Sequence, residues 1–239
     1  MKVLLVFAHP EPRSLNGALR DVAIRELEAQ GHEVLISDLY ADGWKSEVDR
    51  ADFPSWPPEQ RFLPAGASKK AFATNTLTED VKAEIDKLLW ADTLILQFPL
   101  WWYAMPAILK GWVDRVYAYG FAYGVGEHSD KRWGDRFGDG TLAGKRAMLI
   151  VTAGGWEEHY SARGVNGPID NLLFPINHGI LRRASAFRRL QSGSFWRGRF
   201  RACRGAAARK DADARDNPTD SLSAAEWRRL PHPEHAAPL

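Results

Sequence analysis

Cysteine is almost absent: Cys203 is the single one in 239 residues. That excludes an intrachain disulfide framework and any cysteine-based zinc site, and makes a reducing cytoplasm the expected compartment. Long apolar runs are missing too; nothing approaches the roughly 20 residues a bilayer-spanning helix needs. The opening M-K-V-L-L-V-F-A meets His9-Pro10 with no small-residue cleavage site, so it reads as a first strand and not as a signal peptide. Neither G-x-G-x-x-G nor G-x-x-x-x-G-K occurs, so the sequence offers no dinucleotide fingerprint and no P-loop. No group of His, Asp and Glu has metal-ligand spacing, and no metal is expected.

What is present is uneven. With 45% hydrophobic and 26% charged residues, the chain can build a sizeable core. The net charge of +2 conceals about −5 over residues 1–181 and +7 over residues 182–239. The last quarter also contains no Val, Ile, Met or Tyr. The two parts are therefore read separately.

Lys2–Ala8 is a short apolar run, as a strand buried on both faces would be. Leu15, Ala18, Leu19, Val22 and Leu27 fall close to helical spacing, with Gly31 as the stop. Glu33–Leu39 is a second strand. Residues 41–75, rich in Pro, Asp, Ser and Trp, read as a long loop with at most one helical turn. Thr76 and Glu79 form a capping box opening a helix with the stripe Val81, Ile85, Leu88 and Leu89. Thr93–Phe98 is the third strand, followed by a helix with Pro106 in its first turn running through Ile108, Trp112 and Val116. Arg146–Thr152 is the fourth, and a further helix is expected between Ile169 and Ile176. This alternation predicts a doubly wound, mostly parallel α/β sheet, whose ligands bind outside the carboxyl ends of the strands.

Three loops follow strands at that edge. H-P-E-P-R-S-L-N, His9 to Asn16, enters a helix N-terminus, an anion site suited to phosphate. F-P-L-W-W-Y-A-M-P-A-I-L-K-G-W, Phe98 to Trp112, puts adjacent aromatics at a strand end, either as a packing cluster or as a platform for a flat ring. T-A-G-G-W-E-E-H-Y-S, Thr152 to Ser161, offers paired glycines that allow close backbone approach, or simply an ordinary turn. His128, His159, Glu157, Glu158 and Asp170 read as surface groups.

Together with P-A-I-L-K-G-W, G-V-N-G-P and L-F-P-I-N-H-G-I-L, these segments resemble the NAD(P)H:quinone oxidoreductases of flavodoxin-like fold over residues 2–181. The resemblance implies a flavin-binding domain over 1–181, with bound FAD (or FMN) and NAD(P)H as co-substrate. His9, Leu15 and Asn16 would meet the phosphate end. Pro99, Leu100, Trp101, Trp102 and Tyr103 would line the isoalloxazine, with Thr152, Ala153, Gly154 and Gly155 opposite. Tyr160 would donate to the ring's reduced edge, assisted by backbone N–H groups around Gly154. Asn166 stands where many relatives have a histidine; it can hydrogen-bond Tyr160 but cannot titrate. Trp102, Tyr103 and Tyr123 would form the substrate pocket, Tyr123 being lent to a homodimer partner. The implied reaction is ping-pong transfer from NAD(P)H to quinones, with no histidine-like pH dependence. A regulatory flavin-binding subunit of a glutathione-gated potassium efflux transporter, peripherally bound at the membrane, is the alternative. A one-electron carrier fits less well, because flavodoxins hold their phosphate in a Thr/Ser-rich loop.

The 182–239 tail departs from the family. Where an apolar fifth strand and last helix are expected, R-R-A-S-A-F-R-R-L-Q-S-G-S-F-W-R carries too many arginines to bury, so these two elements are expected to be missing or altered. It is either a basic surface segment or the product of a shifted reading frame. The frameshift is preferred, and nucleic acid is not the expected partner. From Asp211 onward the composition implies disorder.

Overall fold

The computed structural model describes residues 1–135, 139–182 and 188–189. Strands run over Lys2–Phe7 (β1), Glu33–Asp38 (β2), Thr93–Pro99 (β3), His128–Ser129 (β4), Arg132–Trp133 (β5), Arg146–Thr152 (β6) and Arg188–Arg189 (β7). Helices cover Leu15–Ala29 (α1), Pro64–Ala73 (α2), Glu79–Trp90 (α3), Ala107–Val116 (α4) and Ile169–Phe174 (α5), the last running into a π-helical segment, Pro175–Arg182. Five strands form one parallel sheet in the order β2-β1-β3-β6-β7, and β4 and β5 make a small antiparallel hairpin.

Side chains on a strand alternate between faces, and the core divides accordingly. Val3, Leu5, Phe7 and Ile95 meet Ala23, Ile24 and Leu27 of α1 on one face. Leu4, Val6, Leu94, Leu96 and Phe98 meet Val81, Ile85 and Leu88 of α3 and Leu109, Trp112, Val113 and Val116 of α4 on the other. β1 thus hands its chain to a helix on one face and β3 to a helix on the opposite face. The crevice of a doubly wound sheet opens at the carboxyl ends between two such strands.

Several expectations are corrected. Residues 41–75 are largely loop, as expected, but hold more helix than one turn: a 3-10 turn, Arg50–Asp52, and the ten-residue α2, entered through Pro64 at its start. Of the prolines in this segment, Pro64 marks the start of that helix, where the missing N–H costs nothing. The cap of α3 is Thr78 and not Thr76, whose hydroxyl pairs with Ser55 and Thr74 instead. Leu89 leaves the apolar stripe for solvent, whereas Glu84 joins it, accepting from Ser37, Lys87 and Trp112. Leu15 and Ala18 also face outward, because α1 turns Ala23, Ile24 and Leu27 to the sheet. Arg115 anchors the 41–62 segment from α4: its guanidinium is buried against Asp52 and Asp80 and stacks on Trp44. The fifth strand beside β6, by contrast, is altered as expected, to two residues in the register Arg146↔Arg188 and Ala147↔Arg189. The remainder of the tail, on which the frameshift and disorder readings fall, lies outside the described residues. Among the described residues no helix is long and apolar enough to cross a membrane, and no group of acidic, His or Cys side chains is set to hold a metal.

Candidate functional site

The site is built where β1, β3 and β6 end side by side. Pro99 sits opposite Thr152 in the ladder, and Leu100 N–H donates to the Thr152 carbonyl at 2.7 Å. These roots hold the second and third loops together. The first loop folds back on itself: Glu11 N–H donates to His9 Nδ1 at 3.0 Å, and Ser14 Oγ lies 3.0 Å from the same nitrogen. Ser14 caps α1 by accepting from Gly17 N–H, so the helix begins directly at the crevice.

Asn16 ties α1 to two of these strands, β3 and β6. Its side chain is buried, and its Nδ2 donates to Thr152 Oγ1 at 2.8 Å. Its backbone carbonyl accepts from Gln97 Nε2 at 2.6 Å. Gln97 is fully buried in the middle of β3, and sequence reasoning passed over it. The signal was there: one amide in the otherwise apolar run T-L-I-L-Q-F-P. Gly17 was missed as well; a Cβ there would lie 1.8 Å from the Pro12 carbonyl oxygen, so only glycine lets the loop close on the helix. Two buried acceptors here, Asn16 Oδ1 and Gln97 Oε1, have no partner. A buried acceptor left open costs about 1–3 kcal/mol, which a ligand donor can recover.

The second loop is a tight turn. Trp101 and Ala104 exchange both backbone hydrogen bonds at 3.0 Å, and the residues between them, Trp102 and Tyr103, have φ of 50° and 60°. Trp102 is 94% exposed and Tyr103 49% exposed, with the Trp101 ring 6.1 Å from the His9 imidazole. The third loop carries the glycines. A Cβ on Gly154 would meet nothing within 4 Å, so open space lies beside it, and Gly155 has φ +96°, which bars an ordinary side chain. Tyr160 Oη donates to the Gly154 carbonyl at 2.8 Å.

Two expected contacts are corrected. Asn166 does not bond Tyr160; its Oδ1 accepts from Tyr103 Oη at 3.0 Å, because Tyr160 is turned back on its own loop. Tyr160 accordingly fixes the Gly154 peptide and does not present a free hydroxyl. Leu15 is brought to the loop but stays partly exposed. Tyr123 packs edge-on against Tyr119 at 5.1 Å with 43% of its surface exposed, and burial together with the neighbouring Tyr119 pushes its phenol pKa up.

An open parallel sheet thus carries a helix start, a glycine corner and an aromatic turn at one carboxyl edge, the place where sheets of this kind bind ligands. The chain belongs to the flavodoxin-like family, whose model matches residues 1–187. It is 70% identical over 181 residues to a ribosyldihydronicotinamide dehydrogenase-like protein of Penicillium crustosum, covering 76% of this chain and 68% of that one. It is 41% identical to the human ribosyldihydronicotinamide dehydrogenase [quinone], covering 75% of each. A Klebsiella pneumoniae structure described as a candidate quinone reductase superposes with a TM-score of 0.76 at 57% identity, covering 88% of this chain and 84% of that one.

Proposed function

We propose that this chain is a flavin-dependent dehydrogenase, working as a homodimer, that passes two electrons from NAD(P)H or a related reduced nicotinamide to a quinone in ping-pong order. The observation that carries this is the joining of an unpartnered amide, a glycine corner and an aromatic turn at one sheet edge, in a chain whose relatives are named for that reaction. Bound flavin, FAD in this proposal, would supply the two-electron chemistry between donor and acceptor.

The residues fit such a group. The first turn of α1 offers N–H groups and the positive end of the helix dipole to a phosphate. Asn16 Oδ1, buried and open, accepts from a ligand N–H or O–H. Trp101, Trp102 and Tyr103 would supply faces against which a flat ring excludes water, and open space beside Gly154 would leave room for it. Backbone N–H groups at Gly154 and Gly155 would face the negative charge of a reduced ring. Such donors are worth roughly 2.7–4 kcal/mol each where they have been removed from other enzymes. Tyr160 contributes by holding that peptide, and the exposed Tyr123 is assigned to a partner's pocket. The absence of a titrating group at position 166 leaves the half-reactions without a pH step near 6.5 from that position. Nothing among the relatives supports the transporter-subunit alternative.

Purified full-length protein tests this directly. The expected result is a cofactor absorbing near 450 nm, identified by chromatography after release, and turnover of quinone by reduced nicotinamide with parallel double-reciprocal plots. Folded protein that neither retains nor takes up FAD or FMN would overturn the reading.

A further inference from the structure

Trp102 and Tyr103 occupy the two central positions of a turn whose left-handed backbone is ordinarily given to Asn and Gly. Among the described residues the only other non-glycine with positive φ is Asn75, a residue type that tolerates it. Two successive bulky aromatics in this region are strained, and such strain persists where surrounding contacts over-determine it. Here the contacts are identifiable. The Trp101–Ala104 bridge closes the turn at its base, and Tyr103 Oη donates to Asn166 Oδ1 across 63 residues of sequence. Asn166 is itself fixed, its N–H donating to the His159 carbonyl at 2.9 Å within the loop that carries Gly154 and Tyr160. The aromatic and glycine loops are therefore tied twice, at their roots by Leu100–Thr152 and at their tips by Tyr103–Asn166.

We propose that the Tyr103–Asn166 hydrogen bond is a latch that holds the aromatic wall of the site in its strained position and so sets the fit of the acceptor. This deepens the function proposed above and rests on it. Asn166 is a positioning residue in this scheme, acting through Tyr103. The Asn166 carboxamide carries no titrating proton, so the acceptor side of the latch does not depend on pH.

The test is a double-mutant cycle on the cofactor-loaded protein with Tyr103→Phe, Asn166→Ala and their combination, and Asn166→Asp as the variant that keeps an acceptor oxygen. The acceptors are 1,4-benzoquinone and 2-methyl-1,4-naphthoquinone at saturating reduced nicotinamide, and thermal unfolding of cofactor-free protein is measured alongside. Each single change is expected to raise KM for the quinones about two- to fivefold, the lower part of what one partly exposed hydrogen bond supplies, with a smaller change in kcat. The double variant should be no worse than the poorer single, and Asn166→Asp should return KM toward wild type. Unchanged KM in both singles, or additive effects in the double, would overturn the latch. Wild-type protein inert toward quinones would instead overturn the proposed function. The latch is then judged by the unfolding cycle: coupled losses in melting temperature support it and additive losses refute it.

Discussion

Replacing Gly17 by alanine should damage this protein, although the ordinary rule for helices points the other way. Gly17 lies in the first turn of α1, where alanine is favoured over glycine by about 1 kcal/mol. The added Cβ, however, would sit 1.8 Å from the Pro12 carbonyl oxygen and 2.6 Å from its carbon. Separations under 3.0 Å are essentially never seen, so the Pro12 peptide must retreat by at least 1.2 Å, the difference between 3.0 and 1.8 Å. Pro12 is two residues from Ser14, whose hydroxyl caps α1 at 3.2 Å; a shift of that size breaks the cap, worth about 1 kcal/mol. Overpacking against backbone adds about 1–3 kcal/mol. The balance is a net loss of about 1–3 kcal/mol, or a melting temperature lower by about 2–12 °C for a chain of this size. The same displacement moves the His9–Ser14 loop, so FAD affinity should fall at least about tenfold, the upper end of what one lost hydrogen bond supplies. Gly66→Ala is the control. Gly66 lies inside α2, and its Cβ would meet Trp56 at an ordinary 3.5 Å, so that variant should be stabilised by a few tenths to about 1 kcal/mol. Thermal unfolding and fluorescence titration with FAD read both. If Gly17→Ala behaves like Gly66→Ala in either assay, the argument from the close approach is wrong.

Trp102→Gly should raise the melting temperature of dilute cofactor-free protein, since it relieves left-handed strain of about 1–2 kcal/mol at a side chain with almost nothing buried; a drop would show that the turn is not strained. Gln97→Leu leaves the Asn16 carbonyl without its buried donor, and urea unfolding should show a loss of about 1–3 kcal/mol together with weakened FAD binding. Asp52→Ala strips a carboxylate from the buried Arg115 guanidinium and should cost about 3–5 kcal/mol, whereas Arg115→Met in the same background should recover part of it. Asp49, Asp80 and Asp92 are held below the usual carboxylate range, Asp49 chiefly by Lys45 and Asp92 chiefly by the Lys2 N–H; for Asp80, burial pushes the other way and is outweighed with the help of the Arg115 guanidinium. Their stabilisation is present above pH 4 and lost as pH falls through the lowered values, so unfolding free energy should decline below about pH 4 and Asp80→Asn should flatten that decline.

The sheet was legible because β1 and β3 are buried on both faces and so read as short apolar runs, β3 with Gln97 as the one break after Thr93, and β6 was found to the residue. α2 was not legible: Pro64 and the polar stretch before it imitate a loop, and its helical face is set by contacts with Trp56 and Tyr119 that no local pattern announces. The capping residue of α3 was misread for a similar reason. Thr76 and Thr78 are equally good caps by type, and the choice between them falls to Ser55, 21 residues away, which takes the Thr76 hydroxyl.

The site divides along the same line. Residue types that carry chemistry by themselves, the adjacent aromatics and the paired glycines, are visible in sequence at the ends of their strands. What sequence cannot show is which polar group answers which. Asn166 was paired with Tyr160 by resemblance, yet its partner is Tyr103 on another loop, and Tyr160 closes on Gly154. Asn16 was placed by resemblance alone, while the reason it can stand there is Gln97, a buried amide in a strand of Leu, Ile and Phe. An amide in such a strand leaves a donor and an acceptor to satisfy: Nε2 takes the Asn16 carbonyl and Oε1 remains open. The polar residue that breaks an apolar pattern is thus the one that joins the framework to the site. In this chain that joint lies between the second residue of α1, the middle of β3 and the last residue of β6.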